Sequence, residues 1–127
     1  MALFNKAAKD AEARRVADTA RAMEELGRVA LDGCVPIGTV RWRDRVKVAG
    51  KVRAMRVQPW AEVASLELTV GDGTGGLTVV FLGRRQIPGI RLGSRIVVHG
   101  MVGATRGQLA MLNPRYQLLP TEVPLPF

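Results

Sequence analysis

Two kinds of side chain in this sequence have the chemistry to hold a polyanion, and they fall in bands. Arg41, Arg43, Arg45, Lys47, Lys51, Arg53 and Arg56 crowd residues 41–56, with Asp44 as the one acid among them. Arg84, Arg85, Arg91, Arg95, Arg106 and Arg115 follow in residues 84–115 without any acid. Residues 57–83, in between, carry Glu62, Glu67 and Asp72 and no basic residue. Ammonium and guanidinium groups in such a track neutralise phosphates and release their counterions. Trp60, four residues after Arg56, offers a π-face on which an unpaired base stacks for about 1–3 kcal/mol. Trp60 equally suits a lid over the end of a β-structure. Trp42, flanked by Arg41 and Arg43, either stacks or anchors a neighbouring helix.

The net charge of +8 and a pI near 11.0 raise the local concentration of polyanions, of which nucleic acid is the commonest. The alternative is charge that merely keeps an Arg-rich chain in solution. Little else in the sequence carries chemistry. His99 is the one histidine, stands within a strand pattern and has no carboxylate or nucleophile beside it in sequence. Glu24 and Glu25 read as a solvated pair on a helix. The single cysteine, Cys34, excludes an internal disulfide and a thiolate cluster. No metal-ligand spacing occurs. The glycines between Gly71 and Gly76 invite a phosphate-loop reading, but no Lys-Ser/Thr follows them. No catalytic residue, metal or cofactor is expected, and the chain reads as non-enzymatic.

The elements that position these residues follow from periodicity. The 127 residues are about one domain by length. Leu3, Ala7, Ala11, Val16, Ala20, Met23, Leu26 and Ala30 recur at helical spacing, so residues 3–31 form an exposed, charge-balanced helix closed by Asp32-Gly33. From Arg45 to Val57 the chain alternates. Val46, Val48, Gly50, Val52 and Ala54 share one face and Lys47, Ala49, Lys51 and Arg53 the other. Gly50 marks a bend, and Gln58-Pro59-Trp60 is expected to break the strand. Ala64, Leu66, Leu68 and Val70 then point inward with Ser65, Glu67 and Thr69 outward. Leu77, Val79 and Phe81 return inward after the glycine turn. Ser94–Val102 supplies a fourth strand, and Gln108–Leu119 a fifth, kinked at Pro114. Five such strands fit an all-β core, a Greek-key OB-fold barrel preceded by an N-terminal α-helix, rather than a seven-stranded sandwich. The division is a helix at 1–33, a barrel at 34–119 and a Pro-rich tail at 120–127. The opening lacks the apolar stretch of a secretory signal and no run approaches a membrane span. A cytoplasmic protein without a membrane partner is expected.

From Lys47 to Tyr116 the sequence resembles a stand-alone OB-fold domain of the tRNA-anticodon-like nucleic-acid-binding class. It is most similar to the wedge domain of RecG-type branch-migration helicases. The matching stretches are VKVAGKV, LTVGDGTGGLTVVFLG and LGSRIVVHGMVG, with LNPRY less exact. The phosphate loop of those helicases is missing, so their ATPase part is not carried over. The resemblance implies binding of single-stranded or junction DNA in repair or recombination, or of RNA. Such barrels bind across strands two and three, between the loops joining strands one to two and four to five. On that basis Lys47, Lys51, Arg53, Arg56, Trp60, Arg84, Arg85 and Arg106 are the candidate binding residues. The rival expectation is an assembly module, joining a second copy or a protein partner through the alanine-rich helix.

Overall fold

The structure, a computed structural model, describes residues 2–127, with side chains described from residue 5 onward. Leu3, expected on the apolar face of the helix, therefore lies outside the described side chains. Helix α1 spans Ala2–Leu31, and its many alanines, the best helix formers, sustain it with little packing. Among the described residues no helix is long and apolar enough to cross a membrane. A short 3-10 turn, Ile37–Thr39, leads into six strand segments. These are β1 (Arg45–Trp60), β2 (Val63–Gly71), β3 (Gly76–Leu82), β4 (Arg95–Thr105), β5 (Gln108–Leu112) and β6 (Arg115–Leu119).

The sheet order is β1-β2-β3-β5-β4-β6, and an added β1–β4 pairing closes the first five into a ring. Within the ring β3 and β5 run parallel and the other neighbours antiparallel. This is the five-stranded OB barrel. Its interior is filled by Val48, Leu68, Val70, Val79, Ile96, Val98 and Met111, all fully buried. β-Branched side chains dominate, as a pleated, curved wall requires.

Closure makes β1 serve two partners. Residues 45–51 pair with β4, and residues 51–60 pair with β2. At the handover Gly50 lies against the other wall. A Cβ there would sit 2.8 Å from the Gly71 carbonyl oxygen and 2.7 Å from Val70 Cγ1. Directly afterwards the β1–β2 register slips between Val52 and Ala54. This bulge reverses the expected alternation. Met55, not Ala54, packs on the core, and Ala54 is exposed. Nor does β1 break at Gln58-Pro59-Trp60. It continues to Trp60, paired with Val63, and turns through Ala61 and Glu62, both at positive φ (47° and 69°). Pro59 is tolerated because β1 beyond Lys51 pairs on one edge only, so a missing N–H there breaks no ladder.

The last strand does kink at Pro114, and the kink is a register slip. Val102 pairs with Met111, whereas His99 pairs with Arg115. The extra residue, Asn113, adopts φ 47° and stays tied to β3 through its N–H to the Val80 carbonyl (2.7 Å). Tyr116, opposite Val98, meets Phe81 edge-on with centroids 5.4 Å apart.

Among the described residues, α1 docks by its C-terminal end. Ala30 joins Ala49, Val97 and Leu119 in a small second cluster with Leu31, Cys34 and Leu125 packed on it. Burial pushes the Cys34 thiol up from its ordinary 9.0, with Lys47 pulling it down and Asp32 pushing it further up. The Pro-rich tail is held against the same end. Val123 is buried and packs on Gly27, and Arg95 donates to the Val123 carbonyl.

The glycine turn between β2 and β3 is a structural knot. Buried Asp72 accepts from the N–H groups of Ile37 (3.0 Å), Thr74 (2.7 Å) and Gly75 (3.1 Å) and from the Thr74 hydroxyl (2.6 Å). Burial alone would raise the Asp72 carboxyl, but these donors outweigh it and hold it below its ordinary 3.8. The stability it adds is therefore present above that value and lost as pH falls through the lower folded value. Asp72→Asn turns an amide N–H toward the Ile37 N–H and is expected to cost about 1–3 kcal/mol at neutral pH. Urea denaturation of both proteins across acid pH should show the gap narrowing as pH falls. A gap that stays constant would mean that the charge of Asp72 contributes nothing.

Candidate nucleic-acid interface

One face of the barrel gathers aromatic, apolar and basic groups, and the strand register dictates which. Leu66 and Leu68 fill the core, so Ser65 and Glu67 of β2 lie on the outer face, where Ser65, expected to be exposed, is covered and buried. Across the β1–β2 ladder their partners are Gln58 and Arg56, and Trp60 stands one step further on. Across β3 the partner of Glu67 is Val80, which pairs in turn with Leu112 of β5. Thr78 pairs with Ala110, and Ala110 with Gly103 of β4. The result is a groove of about 310 Å³ whose lining includes Trp60, Val80, Met101, Gly103, Ala110 and Leu112. Met101 and Leu112 are exposed although large and apolar. Trp60 supplies a half-buried aromatic wall over a floor of small or flexible residues.

Two hairpins flank this floor. One is the long β1–β2 ribbon. The other joins β4 to β5 at Arg106 and Gly107, both at positive φ (49° and 78°). Glu67 reaches toward both. Arg56 donates to its Oε1 from Nη2 (2.8 Å) and Nε (3.2 Å), while Arg106 Nη1 stands 4.0 Å from its Oε2. Glu67 thus binds the arginine of one hairpin and stands at the edge of ion-pair range of the arginine of the other.

Of the candidate residues, the fold brings Arg56, Trp60 and Arg106 together. Arg84 and Arg85 are exposed in the β3–β4 connection, just after Gly83, which lies near Val63. The other three stand elsewhere. Lys47 donates to the Asp32 carbonyl at the end of α1 (2.8 Å). Arg53, within the bulge, donates to the Asp72 carbonyl (2.8 Å). Lys51 is exposed opposite Arg95, at the end of β4 away from Met101. Trp42 is well exposed, with the Arg43 guanidinium 4.3 Å above its ring, a cation–π contact. Sequence reasoning missed Met101 and Leu112, exposed apolar residues without the charge or aromatic ring by which the candidates were chosen. Among the described residues no group of three or more His, Cys, Asp or Glu is placed to hold a metal ion.

No family model and no curated protein matches the chain. Solved structures do. A replication factor A-related protein from Methanobacterium thermoautotrophicum superposes with a TM-score of 0.53 at 17% identity, covering 68% of this chain and 90% of that one. The p204 HINb domain gives a TM-score of 0.55 at 16% identity, covering 68% of this chain and 47% of the other. At such identity the likeness carries the fold, and together with the closed ring it defines the class: an OB barrel with an added N-terminal helix.

The two tryptophans sit in opposite settings, which gives a direct check of the groove. Trp42→Phe, leaving Trp60 alone, should be quenched by acrylamide more weakly than Trp60→Phe, which leaves Trp42. Equal quenching would place Trp60 in open solvent and dissolve the groove wall.

Proposed function

We propose that this chain is a non-enzymatic nucleic-acid-binding protein whose groove takes single-stranded nucleic acid, as single-stranded or junction DNA in repair or recombination. The observation that carries this reading is the convergence of Trp60, Arg56 and Arg106 on one apolar-floored face. An extended strand needs a surface on which a base stacks and cations beside it for the phosphates, and this face supplies both. The banded basic charge and the OB barrel, shared with a replication factor A-related protein, support the same reading. Glu67 sets the terms. Arg56 and Arg106 must exchange its carboxylate for phosphate, so part of their binding energy is already committed within the protein.

A second reading, an assembly module, draws on α1, where Val16 stands exposed along the undocked stretch and Val29 beside the docked Ala30. Partners that survive nuclease treatment of a lysate would favour it.

Mobility shifts on single-stranded, junction and duplex oligonucleotides, in deoxy and ribo forms, test the reading. Absence of any shift at low salt would sink it. Trp60→Ala is expected to weaken single-strand binding by about 1–3 kcal/mol. Arg106→Ala should reduce the slope of log K against log salt by about 0.7. Glu67→Gln, which frees both arginines, should bind more tightly than the parent. Weaker binding by Glu67→Gln would show that its contribution to holding the hairpins outweighs its competition with phosphate.

A further inference from the structure

The outer face does not end at Met101 and Leu112. Because of the slip at Asn113, β6 takes over the edge of β4 along which β5 had run. The join is tight on one side, where a Cβ at Gly100 would approach Pro114 Cβ to 3.3 Å. On the outer side it leaves a second depression of about 460 Å³, whose lining includes Arg45, His99, Arg115 and Asn113. Met101 and Leu112 line this depression as well as the Trp60 groove, so the two are one surface with a shared wall. The register explains the gathering. Arg45 of β1 pairs with Met101, and His99 pairs with Lys47 on one side and Arg115 on the other.

The charge here differs from that in the groove. No acid lines the second depression. Among the described residues, the ion pairs of the barrel are those of Glu67 with Arg56 and Arg106. Arg45 and Arg115 enter none. Both are exposed, and a phosphate would meet their guanidinium forks without displacing a protein carboxylate.

We infer that this depression is a phosphate-binding extension of the groove, built by β6 outside the five-stranded ring. A strand with a base against Trp60 continues over Met101 and Leu112, and Arg45 and Arg115 take its next phosphates, with the His99 ring beside them. The inference rests on the reading of the groove as a single-strand site. It adds that two further salt-dependent contacts lie beyond the groove, on residues 45 and 115.

Oligonucleotide length separates the two ideas, since OB barrels occupy about 4–16 nucleotides. The probes are oligo-dT of about four and about twelve nucleotides, titrated against the full chain at several salt concentrations. The parent should bind the longer probe more tightly and with the steeper salt slope. Arg45→Ala combined with Arg115→Ala should lower that slope by about 1.4, and affinity about fivefold per lost contact near 0.1 M salt. Binding of the short probe should be unchanged. Trp60→Ala should weaken both. Arg45→Gln with Arg115→Gln, which keeps more of the side-chain packing, should repeat the loss on the longer probe, with an unchanged melting temperature. If the double variants bind the longer probe with the parent's affinity and slope, the extension is overturned and the groove reading stands. Equal loss on both lengths also overturns it. If the parent binds neither probe, the groove reading itself falls.

Discussion

The barrel depends on one strand having two neighbours. A sheet of five short strands leaves two edges with unpaired backbone groups, and closing it removes them. Here β1 performs the closure, lying against β4 for its first half and β2 for its second. A strand with a side chain on every residue cannot bend that sharply without striking the wall it crosses. Gly50 gives the room, its α-carbon facing the Gly71 carbonyl oxygen. The register slip just beyond it then decides what the outside of the barrel looks like. Carried on unbroken from Val46, Val48 and Val52, the alternation would turn Arg56 and Trp60 to the same side as the core. The slip at Arg53 turns Met55 to the core instead, and Arg56, Gln58 and Trp60 outward over β2 and β3. The groove therefore exists because the strand that closes the barrel is also bulged.

This explains why the fold was legible in the sequence and the site only in part. Alternating valines and leucines around glycine turns are period-two signals, which survive small errors in register. The strands and the turn at Gly71–Gly76 follow from them. A binding face is an exact matter of parity, and one extra residue inverts it. Two such residues occur, at Arg53 and Asn113; Pro114 marks the second as a kink, whereas the first has no distinctive sequence signature. The β1–β2 turn was obscure for a related reason. Ala61-Glu62 adopts positive φ at both positions, where Asn-Gly would announce a two-residue hairpin. Pro59 was read as a break because its tolerance depends on which edge of β1 is free.

The basic bands dispersed in a similar way. Residues 41–56 are basic along the sequence but for Asp44, yet a strand sends successive residues to opposite faces and a closed barrel sends those faces in many directions. Lys47 meets the end of α1, where a cation satisfies the last carbonyls of a helix. Arg53 meets the carbonyl of the same Asp72 whose carboxylate binds Ile37, Thr74 and Gly75. Linear charge density is thus a guide to the partner's sign and a poor guide to where the partner lies.

Glu67 remains the most instructive single residue. An acid in the middle of a basic face opposes anion binding, and by the logic of affinity alone it should be absent. The two hairpins beside it explain its presence. Beyond Gln58 and Ser65 the β1–β2 ribbon pairs only with itself, and the β4–β5 turn beyond Thr105 has no strand beside it. Neither is fixed by a shared ladder, and two like-charged arginines would drive them apart. A single carboxylate between Arg56 and Arg106 offsets that repulsion, and because both arginines are half-exposed the net attraction is modest, about 1 kcal/mol or less. A clasp of that strength can order the hairpins and still yield to a phosphate. The acid presets the spacing of the two arginines, and in the proposed reading that spacing is what an extended strand would meet.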